Sequence, residues 1–93
     1  MIIGVLTLEL HLPEAKSLKE KRMVLKSITE KIKHHYNVSI AEVDNQNLWQ
    51  RSTIALAAVS LKKDDLEKVF SKIENLIEQN GYVLITDRQK EFI

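Results

Sequence analysis

Eight residues near the middle of the chain, Asp44-Asn45-Gln46-Asn47-Leu48-Trp49-Gln50-Arg51, bring together amide side chains, the only tryptophan and a guanidinium. Such groups can read an unpaired base, the indole by stacking and the others by hydrogen bonds to its edge. The competing arrangement is ordinary packing, in which Trp49 folds back onto its own hairpin and Arg51 pairs with Asp44 or Glu42 across it. A lone tryptophan in a small domain favours packing, because a large ring gains most when buried.

A second group able to do chemistry is the row Lys19, Arg22, Lys26 and Lys33, spaced by three, four and seven residues. On a helix this spacing stacks the charges along one flank, where they could neutralise phosphates and release counterions. Charge rows on helices are more often simply solvated, and no groove-reading motif accompanies this one. Lys21 differs from its neighbours because it falls near the apolar stripe of the same segment. It either lays its stem along the sheet edge or anchors an acidic group at the hairpin tip.

Support for catalysis is thin. His34 and His35 are adjacent, so on a helix they point about 100° apart and form no joint metal site; His35 is the one placed to cover the core edge. His11 lies two residues from Glu9 on one strand face, but two ligands are too few for a metal centre. The only glycines, Gly4 and Gly81, make no phosphate-cradling loop. There is no cysteine, which excludes disulfides, thiolate metal sites and cysteine nucleophiles. The free amides of a helix start at Ser17 could hold an anion, although Glu20 competes for them. No cofactor is implied, and the expectation is a protein that is not an enzyme.

The elements that carry these residues can be read from periodicity. Leu6, Leu8, Leu10 and Leu12 alternate with Thr7, Glu9 and His11, the pattern of a half-buried strand that Pro13 ends. Ser17-Leu18-Lys19-Glu20 fits a capping box, and a helix from about Leu18 to His35 follows. Its apolar stripe is Leu18, Val24, Leu25, Ile28, Ile32 and Tyr36. Val38 and Ile40 begin a second strand whose parity flips at Val43, which predicts a bulge near Ala41–Glu42. Ser52 to Ser60 forms a third strand. The connection between them lacks glycine and is expected to be a longer loop, with room for one helical turn. Asp64, or a residue just before it, caps a second helix with the stripe Leu66, Val69, Phe70, Ile73, Leu76 and Ile77, which Asn80-Gly81 stops. Tyr82 to Thr86 is read as the last strand, and 87–93 as a charged tail or short edge extension.

A shift of 45 residues superposes Val24, Leu25, Ile28, Ile32, Val38 and Ile40 on Val69, Phe70, Ile73, Ile77, Val83 and Ile85. Two strand–helix–strand halves joined by a hairpin make βαββαβ, an α+β ferredoxin-like domain. Right-handed crossovers place both helices on one face of a four-stranded antiparallel sheet. The other face stays open, with Val5, Thr7, Glu9 and His11 from the first strand and Ala55, Ala57 and Val59 from the third. Neither strand offers the aromatic residues on which an RNA-recognition sheet stacks bases. Val5, Thr7, Ala55, Ala57 and Val59 suit close contact with another flat surface, such as a second subunit, or remain an ordinary exposed face.

Ninety-three residues, 44% hydrophobic and 29% charged, describe one globular domain. A chain this short buries only about 60–65% of its unfolded surface, so its stability is expected to be modest. The formal net charge is +1, but Lys16 to His35 carries seven basic and two acidic residues while the rest carries seven and eleven. The field is therefore local rather than global. No apolar run approaches the roughly 20 residues that cross a bilayer, and no DNA-binding motif is present. The first strand starts at Met1 with no signal-peptide core ahead of it, so a cytoplasmic location is expected.

The segment LTLELHLPEAKSLKEKR, followed by NVSIAEVDNQNLWQRSTIALAAVS, resembles the YlxP-like family of small bacterial proteins, a domain of unknown function. The similarity runs from Ile2 to about Thr86 and is carried by the blocks Ser17 to Arg22 and Ser39 to Arg51. It implies a ferredoxin-like fold and supplies no catalytic residues. Family members are often encoded beside translation initiation and ribosome-maturation factors, which implies a role near the ribosome. The expectation is a non-enzymatic RNA- or ribosome-associated module using Lys19, Arg22, Lys26, Lys33, Trp49 and Arg51. The alternative is a protein-interaction or homodimerisation module docking through the open sheet face.

Overall fold

The leucine alternation does what a period of two requires. The computed structural model, which describes residues 1–93, places Leu6, Leu8 and Leu10 of strand β1 (Ile2–His11) under the helices, each at most 2% exposed. Leu12 continues this face after the strand ends. Helix α1 (Leu18–His35) starts where the capping signal placed it, the Ser17 Oγ accepting the Glu20 amide at 3.1 Å. The Glu20 carboxylate meets the Ser17 hydroxyl at 3.4 Å, so the carboxylate half of the box turns to the side chain. Strands β2 (Ser39–Asp44) and β3 (Arg51–Ser60) form the central hairpin. Helix α2 (Lys63–Glu78) and strand β4 (Leu84–Phe92) complete the chain.

The sheet order is β2-β3-β1-β4 with every pairing antiparallel, the ferredoxin-like arrangement expected from the repeat. Both helices cover the face carrying Leu6, Leu8, Ile54 and Leu56. Phe70, Ile73 and Ile77 from α2 meet Ile28 and Ile32 from α1 in one core, all of them at most 1% exposed. Gly4 stands under Phe70, and a Cβ there would lie 3.0 Å from the ring, so any side chain would press Phe70 and Leu66 of α2 outward by a few tenths of an ångström.

Three boundaries and the exposure of His35 differ from the sequence reading. The bulge in β2 falls at Val43, between Glu42 and Asp44, because Glu42 stays in register with Ile54 and turns its carboxylate toward α1. Helix α2 begins one residue before Asp64, with Lys62 at the cap position and no side chain capping it. Asp64 and Asp65 sit in its first turn, where they favour the positive end of the helix. Residues 87–92 are not a tail but most of β4, with a register shift opposite Glu9/Leu10, and Ile93 exchanges two backbone hydrogen bonds with Ile3 at 3.0 and 2.8 Å. Their charge reflects an edge strand, which tolerates charged residues, rather than loss of pairing. Arg88 uses this position to pair with Glu74 and Glu78 of α2. His35 is exposed, and Tyr36 takes the half-buried place at the end of α1. Gly81 adopts the left-handed φ of +84° that the stop after α2 calls for.

Candidate nucleic-acid interface

The tip loop between β2 and β3 is built from one buried cation. Lys21, 1% exposed, sits where the apolar stripe of α1 reaches the sheet, four residues before Leu25. Its ammonium donates to the carbonyl oxygens of Asn45 and Leu48, each at 2.6 Å, and lies 2.9 Å from the Glu42 carboxylate. The Ser52 hydroxyl donates to the same Glu42 oxygen at 2.6 Å. Of the two roles open to Lys21 from sequence, anchoring the tip is the one realised, with two carbonyls added to the acid. No buried side-chain nitrogen or oxygen is left without a partner.

A second set of contacts braces the loop from the other side. Asn45 takes a φ of +60°, a conformation asparagine tolerates, and its Nδ2 donates to Thr53 Oγ1 at 2.9 Å. Thr53 in turn reaches the Glu9 carboxylate at 2.9 Å, so Glu9 is engaged there and no hydrogen bond joins it to His11. Gln50 Nε2 donates to the carbonyls of Pro13 and Ala15 at 3.2 and 3.3 Å, and its own carbonyl accepts the Leu12 amide at 2.9 Å. The loop closes on itself through the Leu48 amide and the Asn45 carbonyl, a single turn without a helical segment.

Trp49 is not folded back. It is 53% exposed, and Leu48 beside it is 44% exposed. Arg51 is exposed and makes no salt bridge. Neither acid meets Arg51: Glu42 is turned to Lys21 and Ser52, and Asp44 accepts the Asn45 amide at 2.7 Å. Trp49, Arg51, Asn47, Leu48, Gln50 and His11 surround a shallow hollow of about 570 Å³. His11 belongs there because it stands directly across from Arg51 in the β1–β3 pairing.

Lys19, Arg22, Lys26 and Lys33 are all exposed and unpaired. Their span of fourteen residues covers about 21 Å of helix at 1.5 Å per residue. Both ends of α1 are placed against the β2 side of the sheet: Lys21 reaches Glu42 at one end, and Lys33 borders Ser39 and Ile40 at the other. The basic row therefore runs along the β2 edge, with Lys19 and Arg22 beside the residue that holds the tip. The helix that carries the row is tied to the tip through Lys21. Sequence separation hid this, although the place of Lys21 in the apolar stripe was a usable signal.

On the face away from the helices, Val5, Thr7, Ala55 and Ala57 are half-buried and Val59 is 62% exposed. Val59, Ile3 and Ile93 line up across β3, β1 and the chain end, an apolar row completed by the extension of β4. Nearer the tip, Asp44, Thr53, Glu9 and Asp87 form a polar row across all four strands. His34 and His35 stay exposed with ring centroids 5.1 Å apart, and no helix is long and apolar enough to cross a membrane.

Comparison with known proteins supplies a family and a fold. The model of a family described as "Protein of unknown function (DUF503)" matches residues 3–90. The chain is 40% identical over 72 residues to "Uncharacterized protein YlxP" of Bacillus subtilis (strain 168), covering 77% of this chain and 78% of that one. Among solved structures it is similar to a de novo designed protein with a ferredoxin fold, LFR1 1, at a TM-score of 0.61 and 13% identity, covering 98% and 85% of the two chains. It is also similar to a dimeric ferredoxin-like protein from an uncultured marine organism, at a TM-score of 0.51 and 14% identity, covering 99% and 92%. At these identities the structural likeness establishes the fold alone.

Proposed function

The chain belongs to the DUF503 family of proteins of unknown function, and from that premise we propose that it is a cytoplasmic, non-enzymatic RNA- or ribosome-associated module. The basic flank of α1 grips phosphates, and the hairpin tip meets the bases. One observation carries this reading: an exposed tryptophan stands on a braced loop whose anchor, Lys21, belongs to the helix that carries four unpaired cations. Cations along an edge supply sequence-independent affinity, while an exposed aromatic supplies stacking. Sucrose-gradient sedimentation of the native protein in lysate tests it. At low salt the protein is expected to travel with a ribosomal subunit, and at moderate salt to be released, as counterion release requires. A protein that stays at the top of the gradient at both salts overturns the reading.

A second reading, self-association through the open sheet face, is favoured by the apolar row Ile3, Val59 and Ile93 beside Val5, Ala55 and Ala57. One similar structure is itself described as dimeric. On this reading the wild-type protein scatters light as a dimer, and Ala57→Arg, which sets a charge at the centre of the contact, returns it to the monomer mass. A monomeric wild type, or a variant that remains dimeric, rejects it.

A further inference from the structure

We propose that the hollow at the hairpin tip is a preformed seat for one unpaired purine nucleotide, with the base on Trp49 and its phosphate on Arg51. The inference rests on the RNA reading above and gives the tip a specific ligand.

Three observations carry it. First, the platform is rigid before any ligand arrives. The Lys21 ammonium holds the carbonyls of Asn45 and Leu48 at 2.6 Å, and Gln50 is tied to Pro13 and Ala15. Ordering a loop on binding costs affinity, and here that cost has been met during folding. Second, the donors and acceptors around the ring are unspent. Arg51 has no ion pair and Asn47 no hydrogen-bond partner, while the Gln50 amide nitrogen is engaged and its Oε1 is left to accept. An asparagine amide can pair with a purine edge as donor and acceptor at once. Third, the site sits at a loop tip and is shallow, which suits a base splayed out of a strand. A base inside a duplex has both faces covered by its neighbours and cannot reach Trp49. A purine offers the larger face for stacking.

Because Trp49 is the only tryptophan, its emission reports the seat directly. The probes are a twelve-residue oligoadenylate, the matching oligouridylate and a twelve-base-pair RNA duplex. Fluorescein-labelled copies give affinity by anisotropy, and unlabelled copies are used for tryptophan emission. Oligoadenylate is expected to quench Trp49 strongly, oligouridylate less, and the duplex not at all. In Trp49→Leu, which alters an exposed side chain, the affinity ratio of oligoadenylate to duplex should fall about tenfold. In Arg51→Gln the same ratio should fall with quenching retained at saturation. Salt-dependent binding of the RNAs with Trp49 emission unchanged overturns the seat and leaves the phosphate-gripping reading standing. Equal quenching by the two single strands overturns the purine assignment, and absence of binding by every RNA at low salt overturns both proposals.

Discussion

Lys21→Met lowers the midpoint of thermal unfolding by about 10–20 °C. Methionine fills the space of the stem but removes the charge, leaving the Leu48 carbonyl without its donor, the Asn45 carbonyl with the Leu48 amide alone and the Glu42 carboxylate with only the Ser52 hydroxyl. Breaking a buried ion pair from one side costs about 3–5 kcal/mol. The Glu42 side chain is 24% exposed, so water repays part of that and a loss of about 2–3 kcal/mol is expected. In a domain of this size each kcal/mol moves the midpoint by about 4–8 °C. The loop itself should loosen, and Trp49 emission should change in the still-folded protein at low temperature. Adding Glu42→Gln to Lys21→Met should recover part of the loss, since an unpaired amide is cheaper to leave than an unpaired carboxylate. Circular-dichroism melts of the three proteins check this. A single variant within about 3 °C of wild type would mean that the cation does not hold the tip.

Reversing Lys19, Arg22, Lys26 and Lys33 to glutamate should abolish RNA association while leaving the protein folded. Each reversal changes the charge by two units, taking the formal net charge from +1 to −7. If all four contact phosphates of a single strand, the wild type should show a slope near −3 in log affinity against log salt. The variant should lose at least about a hundredfold in affinity at low salt. All four residues are exposed and unpaired, so the fold loses only helix-surface terms of a few tenths of a kcal/mol per pair. In the gradient the variant should remain at the top at both salts. A folded variant that still sediments with ribosomal particles would remove the basic flank from the proposed interface and place the contact elsewhere.

The same side chains show where reading a sequence succeeds and where it stops. The alternation of Leu6, Leu8 and Leu10, the stripes of the two helices and the hydroxyl cap at Ser17 are local patterns, and all became the elements they imply. Gly81 likewise marks the end of α2 because a positive φ is a property of one residue. The limits of β4 were harder to see. Edge strands carry charged residues on exposed positions, so Asp87 to Glu91 has a tail's composition while Val5 to Glu9 pair with it in the sheet. Side-chain patterns are blind to main-chain bonds.

Trp49 is the clearest divergence. Packing onto the hairpin is the sound expectation for a lone indole when only the hairpin is considered. The loop that carries Trp49 is shaped by Lys21, 28 residues away, which claims the carbonyls of Asn45 and Leu48, along with Glu42. By itself the sequence determined the order and kind of the elements, the two-helix face and the open face, because hydrophobic period and capping are written within a few residues. The tertiary structure alone decided which acid meets which cation, the shape of the tip and its tie to α1 through Lys21. Those are competitions among distant partners for a buried charge, and they are settled only when α1 docks on the sheet and removes the ammonium from water.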